Sequence, residues 1–380
     1  MSAQTTADLP LRFDNLLILV IAALLMLGLI MVASSSITTA ASASGDPLRL
    51  FWRQSIYLLA ATGAMLMVAR LPLSLWRRFG PWLLFFATVL LALVLIPGIG
   101  RQVNGSLRWI AVGPVNLQPS EFVKIFGVIY LSGYLVRRSD HVQNSMSGFF
   151  KPILLMAVIA VLLLAEPDYG ATVVLFTTTL GMLFLAGVPF LGFSTWLLAI
   201  VLVFALMMVA SPYRLERLLT FVNPWADPYG SGFQLTQALI AIGRGEWFGV
   251  GLGQSVQKLH YLPEAHTDFL FAVIAEELGL LGSVTVIVLF SFFTWRAFVI
   301  GRRALVTGHP FSAYLAYGSG LLIGMQAFVN IGVNLGLLPT KGLTLPLMSY
   351  GGSSLLANCI MVGLLLRADA ETRGAREPKP

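Results

Sequence analysis

Long apolar runs recur through this sequence, and short polar segments separate them. A helix that crosses a membrane needs about 20 consecutive, mostly apolar residues. Ten runs are long enough, or nearly so, to be interpreted as crossings. They lie at residues 16–33, 55–69, 81–96, 119–136, 153–165, 171–187, 190–210, 269–295, 312–335 and 347–366. The pattern predicts an all-α, polytopic membrane protein with ten transmembrane helices.

The balance of residue types agrees with this class. Charged residues make up 11% of the chain, against about 25% in a typical soluble domain. Apolar residues make up 57%, and so few charges could not cover the surface of a water-soluble protein. The single cysteine, Cys359, lies in the last apolar run, which excludes a disulfide framework and a thiolate metal site.

Lysine and arginine residues set the expected orientation. The chain carries a formal net charge of +7, and clusters of basic residues follow the second, fourth, eighth and tenth runs. Ten crossings would put these clusters on one side, and by the positive-inside rule that side is the cytoplasm. This distribution explains the basic balance without nucleic acid as a partner. We therefore expect one transmembrane domain over residues 1–380, with both termini in the cytoplasm.

Two segments on the outer side are longer than a connection between helices requires. One covers residues 97–118, and the other, between the seventh and eighth runs, covers residues 211–267. Loops of such length are usually functional or disordered. The second contains many aromatic residues and an amphipathic run at 233–242, which argues against disorder. We expect it to form a large, structured extracytoplasmic cap.

An acidic residue stands where this cap meets the eighth apolar run. Thr267 is expected to cap the helix, and Asp268 then falls in its first turn, where the helix dipole favours a negative charge. One interpretation is a catalytic carboxylate that faces a lipid head group at the outer surface. The other is a residue that only complements the helix dipole. The spacing alone leaves both interpretations open.

Ionisable residues inside apolar runs are costly and usually face a cavity or the interior of the bundle. Glu121 and Lys124 lie three positions apart in the fourth run, and therefore on one face of the helix. They predict either an internal ion pair that joins helices or a polar wall that accepts a charged head group. Glu276 and Glu277, further along the eighth run, are predicted to be structural carboxylates in the interior.

Basic residues on the outer side are candidates for holding phosphate. Arg108 is followed by an aromatic residue, so it either binds an anion or anchors the chain at the membrane interface. Arg217 and Lys258, both in the cap, belong to the same candidate surface. Two histidines near Asp268 lack a recognised metal-ligand spacing. A divalent cation, Mg²⁺ or Mn²⁺, that bridges a pyrophosphate and a carboxylate remains an open alternative.

The last outer segment, residues 336–354, combines prolines, glycines and hydroxyl residues, among them Ser353. Irregular backbone at membrane depth is tolerated only where it is buried in protein or lines a water-filled cavity. The segment therefore predicts a cavity under the cap, with the loop that carries Asp268 as its neighbour.

Several blocks of residues carry a resemblance to a known family. They are NGSLRWI (104–110), QPSEFVK (118–124), EPDYGAT (166–172), NPWADPYGSGFQLTQ (223–237), YLPEAHTDF (261–269), EELG (276–279) and PTKGLTLPLMSYGGSS (339–354). Together they resemble the SEDS family over nearly every predicted crossing. Their wording is closer to the cell-division members of that family than to its elongation members.

The resemblance implies a peptidoglycan glycosyltransferase of the cytoplasmic (inner) membrane, which polymerises lipid II into β-1,4 glycan at the division septum. It implies that Asp268 is the catalytic aspartate and that Glu121 and Lys124 are the intramembrane pair of the family. The candidates for contact with the substrate are Arg108, Lys124, Glu121, Arg217, Lys258 and Ser353.

The resemblance also implies partners. These are lipid II, a class b penicillin-binding protein (an FtsI-like transpeptidase) and other division membrane proteins of the FtsQ, FtsL and FtsB type. Two alternatives come from other classes of protein. A lipid II flippase would need the cavity and the helices but no chemistry, and a non-catalytic scaffold would use the cap to recruit the cross-linking enzyme. An acid fixed on the outer face favours the polymerase.

Overall fold

The computed structural model describes residues 13–103, 106–113, 115–188, 193–195, 197–198, 202, 206, 221–259, 261–339 and 342–374. Most of these residues are helical. The helices are α1 (Asn15–Ser44), α2 (Arg49–Arg70), α3 (Leu73–Val94), α4 (Pro119–Arg137), α5 (Ser139–Asn144), α6 (Met146–Ala165), α7 (Tyr169–Leu185), α8 (Phe233–Gly245), α9 (Leu270–Val306), α10 (Pro310–Asn334) and α11 (Gly352–Gly374).

Six segments of the described helices are long and apolar enough to cross a membrane. They are Asn15–Ser42, Leu73–Val94, Gly148–Ala165, Leu270–Val306, Pro310–Asn334 and Gly352–Arg373. Large apolar side chains stay exposed on the outside of the bundle, such as Leu59 at 75% and Val161 at 64%. Lipid, and not water, covers apolar surface of this extent. The class of a helical, multi-pass membrane protein is confirmed.

The predicted apolar runs can be compared with the helices one by one. The seventh run, 190–210, falls mostly on residues outside the described ranges, so the count of ten crossings stays a prediction. Each of the other runs overlaps one helix in the described part of the chain. Helix α6 begins at Met146, earlier than predicted, and α9 continues to Val306, later than predicted. The amphipathic run in the cap is helix α8, as expected.

Helix α10 lies at the centre of the bundle and packs against α4, α7, α9 and α11. Small residues bring its neighbours close. A Cβ atom on Gly318 would collide with Val128 of α4 and Met182 of α7, and one on Gly324 would collide with Thr294 of α9. Small residues permit such close approach in membranes, where the hydrophobic effect does not drive helices together. Residues at the end of α10 near the cap can therefore contact several neighbouring helices and loops.

A three-stranded antiparallel sheet lies between α3 and α4, and the expected all-α fold is wrong here. Strands β1 (Gly100–Val103), β2 (Ser106–Val112) and β3 (Val115–Leu117) pair in chain order. The sequence contains a signal for it, because an Asn-Gly dipeptide, Asn104-Gly105, favours a tight hairpin turn. The long outer segment at this place is thus a compact sheet.

Helix α9 is interrupted at Gly279, whose backbone (φ 66°, ψ −161°) is not helical. The two amides that follow donate to carbonyl oxygens in the segment 246–251 of the cap. Two amides of that segment donate in return to the carbonyl oxygens of Glu276 and Glu277, at 3.0 and 3.1 Å. A Cβ atom on Gly249 would lie 2.1 Å from the carbonyl oxygen of Glu277. Gly249 and Gly279 therefore allow the backbone of the cap to approach the broken helix closely enough for these hydrogen bonds.

Ion pairs join three helices at the end of the bundle opposite the cap. Asp14 caps α1 and pairs with Arg296 of α9 and with Arg373 of α11, the latter at 3.3 Å. Asp369 of α11 is buried and pairs with Arg303 of α9 at 2.8 Å. These carboxylates are held by arginines, so this end of the bundle is closed by structural contacts.

Candidate active site

Asp268 lies in the loop 261–269, here called the Asp268 loop, directly before α9. The helix begins at Leu270, and Phe269 occupies the N-cap position without a side-chain hydrogen bond. The prediction that Thr267 caps the helix is wrong, because its hydroxyl donates to the carboxylate of Glu264 at 2.7 Å. Asp268 consequently precedes the first turn of α9, and the prediction that it lies within that turn is wrong.

Two asparagines of α10 hold the Asp268 loop by its main chain. Asn330 and Asn334 donate to the carbonyl oxygen of Asp268 at 2.8 and 3.0 Å. Asn334 also accepts a hydrogen bond from the amide of Ala272 at 3.1 Å. Neither asparagine is among the residues predicted from the sequence, although two amides four positions apart in an apolar helix indicate hydrogen bonds between helices. The backbone of Asp268 is thus fixed independently of its carboxylate.

Arg108 approaches the Asp268 loop from the sheet. The residues of β1 pair with Leu107 and Trp109 but skip Arg108, which is therefore the extra residue of a β-bulge in β2. A bulge turns a side chain out of the regular alternation, and bulges are frequent beside active sites. The guanidinium donates to the carbonyl oxygens of Glu166 and Pro167, at 3.2 and 2.6 Å. These contacts fix the plane of the guanidinium.

Gly342 marks the space between Asp268 and Arg108. A Cβ atom at this exposed position would lie 3.2 Å from Oδ2 of Asp268 and 3.5 Å from Nη1 of Arg108. The glycine leaves room for an incoming group that touches the carboxylate and the guanidinium together. The last outer segment contacts the Asp268 loop elsewhere too, because Ser349 donates to the carbonyl oxygen of Thr267 at 2.5 Å. The last outer segment and the Asp268 loop are therefore neighbours, as expected, and the cavity between them stays a prediction.

Burial changes the proton affinity of the Asp268 carboxylate, which accepts no hydrogen bond from the residues that the structure describes. Burial raises the pKa of Asp268 to about 7. The charges of Glu264 and Asp168 contribute to this increase, and the guanidinium of Arg108 opposes it. A carboxyl group with a pKa near 7 can accept and release a proton at neutral pH, as a general base must.

The turn between α6 and α7 adds two more acids with different surroundings. Asp168 caps α7 through the amide of Ala171 at 3.2 Å and accepts the hydroxyl of Ser120 at 3.0 Å. Glu166 is fully buried, and in the described part of the chain neither of its oxygens has a hydrogen-bond partner. Burial and the charge of Asp168 raise the pKa of Glu166 to about 8, although Arg108 lowers it. Glu166 is therefore mostly protonated at neutral pH.

These acids do not fit a metal site. Over the described residues, no three His, Cys, Asp or Glu side chains are grouped as the ligands of one metal ion would be. Mg²⁺ and Mn²⁺ prefer several charged or carbonyl oxygens. Asp168 already serves as a helix cap, and Glu166 is mostly protonated. A cation that bridges the pyrophosphate of a substrate and one carboxylate, such as Asp268, needs fewer protein ligands, so this alternative stays open.

The pair predicted inside the fourth apolar run is formed. Nζ of Lys124 lies 3.0 Å from Oε1 of Glu121 and donates to Gln326 of α10 at 2.8 Å. Gln326 donates in turn to the carbonyl oxygen of Thr344 at 3.2 Å. Both charged side chains are buried. The pair joins α4 and α10 to the last outer segment, two residues beyond Gly342.

Lys258 takes part in a buried ion pair. Its Nζ donates to Oε1 of Glu277 at 2.9 Å and to the hydroxyl of Ser34 in α1 at 3.1 Å. Glu276 accepts the hydroxyl of Ser255 at 2.5 Å. Both glutamates are fully buried, as expected of structural carboxylates. Because the Lys258 side chain is only 5% exposed and paired, the expected contact with a phosphate is corrected to a structural role.

Ser353 joins the start of α11 to the sheet region. Its hydroxyl accepts a hydrogen bond from the amide of Gln118 at 3.1 Å and donates to the carbonyl oxygen of Asn116 at 3.0 Å. The side chain is buried, so the hydroxyl serves the packing of these two segments. Arg217, the remaining candidate, lies outside the described residues.

Comparison of the sequence with protein families identifies relatives over almost the whole chain. The FtsW/RodA/SpoVE model, described as a cell cycle protein, matches residues 14–374. The probable peptidoglycan glycosyltransferase FtsW of Nitrosococcus halophilus is 57% identical over 336 residues, which cover 88% of this chain and 86% of that protein. The protein of the same description from Alkalilimnicola ehrlichii is 54% identical over 375 residues, 97% of this chain and 92% of that one.

Solved structures share the fold. One is a chain from "Structural coordination of polymerization and crosslinking by a peptidoglycan synthase complex", with a TM-score of 0.77 and 28% identity. The match covers 97% of this chain and 100% of that chain. The crystal structure of the rod shape determining protein RodA of Thermus thermophilus matches with a TM-score of 0.67 and 27% identity, over 97% of this chain and 99% of that one.

Proposed function

The chain belongs to the FtsW/RodA/SpoVE family of cell cycle proteins, and from this premise we propose that it is a peptidoglycan glycosyltransferase. It joins lipid II units into β-1,4 glycan on the outer face of the cytoplasmic membrane, at the division septum. Relatives that are identical to it at more than half of the aligned residues are described as probable peptidoglycan glycosyltransferases. The observation that carries the proposal is the carboxylate of Asp268, which no described residue pairs with, beside the guanidinium of Arg108, with Gly342 leaving room between them.

Asp268 is the general base of the reaction. With a pKa of about 7, a large fraction of the carboxylate is ionised at neutral pH. It takes the proton of the acceptor sugar's C4 hydroxyl while that oxygen attacks C1 of the donor sugar. The bond between C1 and the pyrophosphate oxygen breaks, and inversion at C1 turns an α-linked pyrophosphate into a β-1,4 linkage. The same pKa lets Asp268 release the proton to water before the next cycle.

Arg108 holds the leaving pyrophosphate. A guanidinium presents N–H donors in a planar fork that matches the oxygens of a phosphate. Its contacts with the carbonyl oxygens of Glu166 and Pro167 orient this fork, and Nη1 borders the space at Gly342. Charge that develops on the leaving group in the transition state is stabilised most by donors already in place. A pyrophosphate held in this way leaves without a general acid.

Lys124 and Glu121 support the site from inside the bundle. Lys124 is connected through Gln326 to the carbonyl oxygen of Thr344, and Thr344 follows Gly342 by two residues. We assign this pair the positioning of the last outer segment against the Asp268 loop. Ser353 has the corresponding role at the start of α11, where it fixes the connection between β3 and α4.

Cross-linking of the new glycan belongs to a partner. One structural relative comes from a peptidoglycan synthase complex whose description couples polymerization with crosslinking. We propose that this chain assembles with a class b penicillin-binding protein, in a group with other division membrane proteins. The sheet and the described part of the cap, residues 221–259 and 261–267, lie at the end of the bundle that carries Asp268, and we propose that the partner's extracytoplasmic domain contacts this end. Together with the helices they form one transmembrane domain.

The test of this function separates synthesis from transport. In detergent there are no two compartments, so a flippase produces no measurable change in lipid II, whereas a polymerase still makes glycan. The protein is purified with a partner whose transpeptidase site has been inactivated, and its products from lipid II are resolved by length. We expect long glycan that a penicillin does not suppress and that Asp268→Asn abolishes.

Other results would support the two alternatives. If the detergent-purified complex makes no glycan, and proteoliposomes move lipid II independently of Asp268, the protein is a flippase. If the complex with Asp268→Asn makes as much glycan as the wild type, the chemistry belongs to the partner and this chain is a scaffold.

A further inference from the structure

A second group of basic and aromatic side chains lies against the Asp268 loop. It consists of Arg53 and Tyr57 of α2, Tyr350 of the last outer segment, and His266, two residues before Asp268. We call these four residues the α2 cluster. Nη2 of Arg53 donates to the Tyr57 hydroxyl at 3.2 Å. The ring centroids of Tyr57 and Tyr350 are 6.3 Å apart, and those of Tyr350 and His266 are 5.5 Å apart.

Main-chain contacts fix the geometry of the α2 cluster. Gln54 of α2 is 2% exposed, donates to the carbonyl oxygen of Ser349 at 3.3 Å, and accepts the amide of Gly351 at 3.4 Å. The amide of Tyr350 donates to the carbonyl oxygen of His266 at 3.0 Å. Helix α2, the last outer segment and the Asp268 loop are therefore held in register, and a ligand meets a surface that is already formed.

The α2 cluster is accessible and carries unbalanced positive charge. Arg53 is exposed, and the three rings are half-buried. No carboxylate of the described residues pairs with Arg53. Burial raises the pKa of the Tyr350 hydroxyl, while Arg53 and Arg49 both lower it, so two guanidinium groups lie near this hydroxyl. Unpaired arginines bind phosphate oxygens, and exposed ring faces offer apolar surface to a sugar. The combination suits a sugar that carries a phosphate.

The proposed reaction needs a second anion site of this kind. Both substrates are lipid-linked pyrophosphates, but only the donor loses its pyrophosphate, and the acceptor keeps its own. One site must stabilise a departing anion while another retains a bound one. Arg108 comes from β2 and contacts the turn after α6, whereas Arg53 comes from α2 and donates to the hydroxyl of Tyr57. The two arginines share no hydrogen-bond partner among the described residues.

We propose that the α2 cluster is the acceptor subsite. Arg53 holds the pyrophosphate that the acceptor retains, and the rings of Tyr57, Tyr350 and His266 support its sugars, so that the C4 hydroxyl is presented to Asp268. No bond forms or breaks at the cluster, and its role is binding. This inference rests on the proposed glycosyltransferase function and adds a division of labour between the two arginines.

The test uses two analogues of lipid II that separate the roles of the substrates. One has its C4 hydroxyl methylated, so it can only be a donor. In the other a methylene group replaces the oxygen between C1 and the pyrophosphate, so it can only be an acceptor. Initial rates of their coupling are measured for the complex with a transpeptidase-inactive partner. A charged hydrogen bond contributes enough affinity that Arg53→Gln should raise the KM for the acceptor at least about tenfold.

The same variant should leave the KM for the donor unchanged, whereas Arg108→Gln should act mainly on the donor. Arg70→Gln is the matched control, because it removes the same charge from the other end of α2, and both KM values should stay as in the wild type. Arg53→Lys keeps the charge and should restore part of the acceptor affinity. If Arg53→Gln does not fold, as judged by thermal unfolding, Arg53→Lys supplies the same comparison.

Two results would overturn the subsite while the glycosyltransferase function stands. One is an unchanged acceptor KM in the Arg53 variants, which would make Arg53 an interfacial anchor. The other is an effect on the donor KM alone. A wild-type complex that couples neither the analogues nor unmodified lipid II would overturn the proposed function itself.

Discussion

Two regions near the start of α9 contain carboxylates whose surroundings differ: Glu276 and Glu277 are fully buried, and Asp268 is half-buried. Glu277 binds Lys258 and Ser34, and Glu276 binds a serine hydroxyl and backbone amides of the cap. Asp268, only a few residues earlier, accepts no hydrogen bond at its carboxylate from the described residues, and burial raises its pKa to about 7. Helix α9 therefore carries acids with several hydrogen-bond partners, whereas the loop before it holds an acid that the described residues leave unpaired.

This difference distinguishes carboxylates that hold the structure together from carboxylates that react. Removing one member of a buried ion pair is strongly destabilising, because the other charge is left without a partner. A buried acid with a raised pKa and no partner is unfavourable for stability, and such acids concentrate where protons are transferred. Substitutions around Glu277 should therefore change stability, and substitutions around Asp268 should change the rate.

The largest effect is expected at Asp268. Asp268→Asn should reduce glycan synthesis by about 10²–10⁴-fold, the usual contribution of a positioned general base. Stability should not fall, because the carboxylate accepts no hydrogen bond from the described residues. Relative to the wild type it should rise with pH between 3.8, the ordinary pKa of an aspartate, and about 7, the range in which the raised pKa of Asp268 destabilises the folded wild type. Glycan yield and thermal unfolding of the same preparation measure both. A normal yield from the well-folded variant would contradict the assignment.

The opposite behaviour is expected at Glu277. Glu277→Ala leaves Lys258 buried without its partner and should lower the free energy of unfolding by about 3–5 kcal/mol. Combining Glu277→Gln with Lys258→Met removes both charges and should recover most of that loss. Thermal unfolding of the single and double variants tests this. Single variants as stable as the wild type would show that these charges reach water.

Lys124 lies between the two cases, since it is paired but also connected to the site. The double variant Glu121→Gln with Lys124→Met should restore stability relative to Lys124→Met alone. Its turnover should stay about 10²-fold lower, because a small displacement of reacting groups costs that much. Unfolding temperature and glycan yield, measured together, separate the two effects. Full recovery of activity would show that Lys124 has no positioning role.

Gly342 tests whether the space beside Asp268 is used. A methyl group at this position would lie 3.2 Å from Oδ2 of Asp268, so Gly342→Ala should reduce turnover and Gly342→Val should reduce it further. Stability should change by no more than about 0.5 kcal/mol, as for other exposed positions. The graded loss would appear in initial rates of glycan synthesis. Equal rates for all three proteins would place the reaction elsewhere.

The smallest effect concerns pH. Activity should rise with pH through an apparent pKa near 7, because Asp268 must be ionised to accept a proton. Glu264 raises that pKa, so Glu264→Gln should move the midpoint to lower pH. Glu166→Gln is the control and should leave the midpoint in place, since the pKa of Asp268 responds to Glu264, Arg108 and Asp168. The measurement is the rate of glycan synthesis between about pH 5 and 9. A midpoint unchanged by Glu264→Gln would show that the charge of Glu264 does not raise the pKa of Asp268.

Features that depend on nearby residues were predictable from the sequence. Helices follow from runs of apolar residues, and the contact of Glu121 with Lys124 follows from their spacing in one helix. Lys258 could not be placed in this way, because its partner Ser34 is 224 positions away. The same reason applies to Asn330, whose partner is the carbonyl oxygen of Asp268, 62 positions earlier. Contacts of this range appear only once the helices have packed.

The direction of the Arg108 side chain depends on the register shift between β1 and β2. Apolar periodicity in a short outer segment gives no information about such a shift, although the Asn-Gly dipeptide marked a hairpin. The prediction for Thr267 failed for a different reason. Its side chain is suited to capping a helix, but its hydroxyl donates to the carboxylate of Glu264 instead. The preference of a threonine for capping a helix is overridden where the loop supplies another hydrogen-bond acceptor for its hydroxyl.

The break in α9 at Gly279 has a consequence for biosynthesis. Four backbone hydrogen bonds between the segment 246–251 and the broken helix satisfy groups that lipid could not satisfy, and each unsatisfied group in lipid is unfavourable by several kcal/mol. Residues 246–251 precede Gly279 in the chain, so the ribosome delivers them first. With the cap on the outer face, as proposed, the translocon can release α9 into the bilayer after the partners of its break have been translocated. In a permuted chain with the cap after α9, the broken helix would enter the bilayer before the segment 246–251 had been synthesised. The backbone groups at the break would then have no hydrogen-bond partners during insertion.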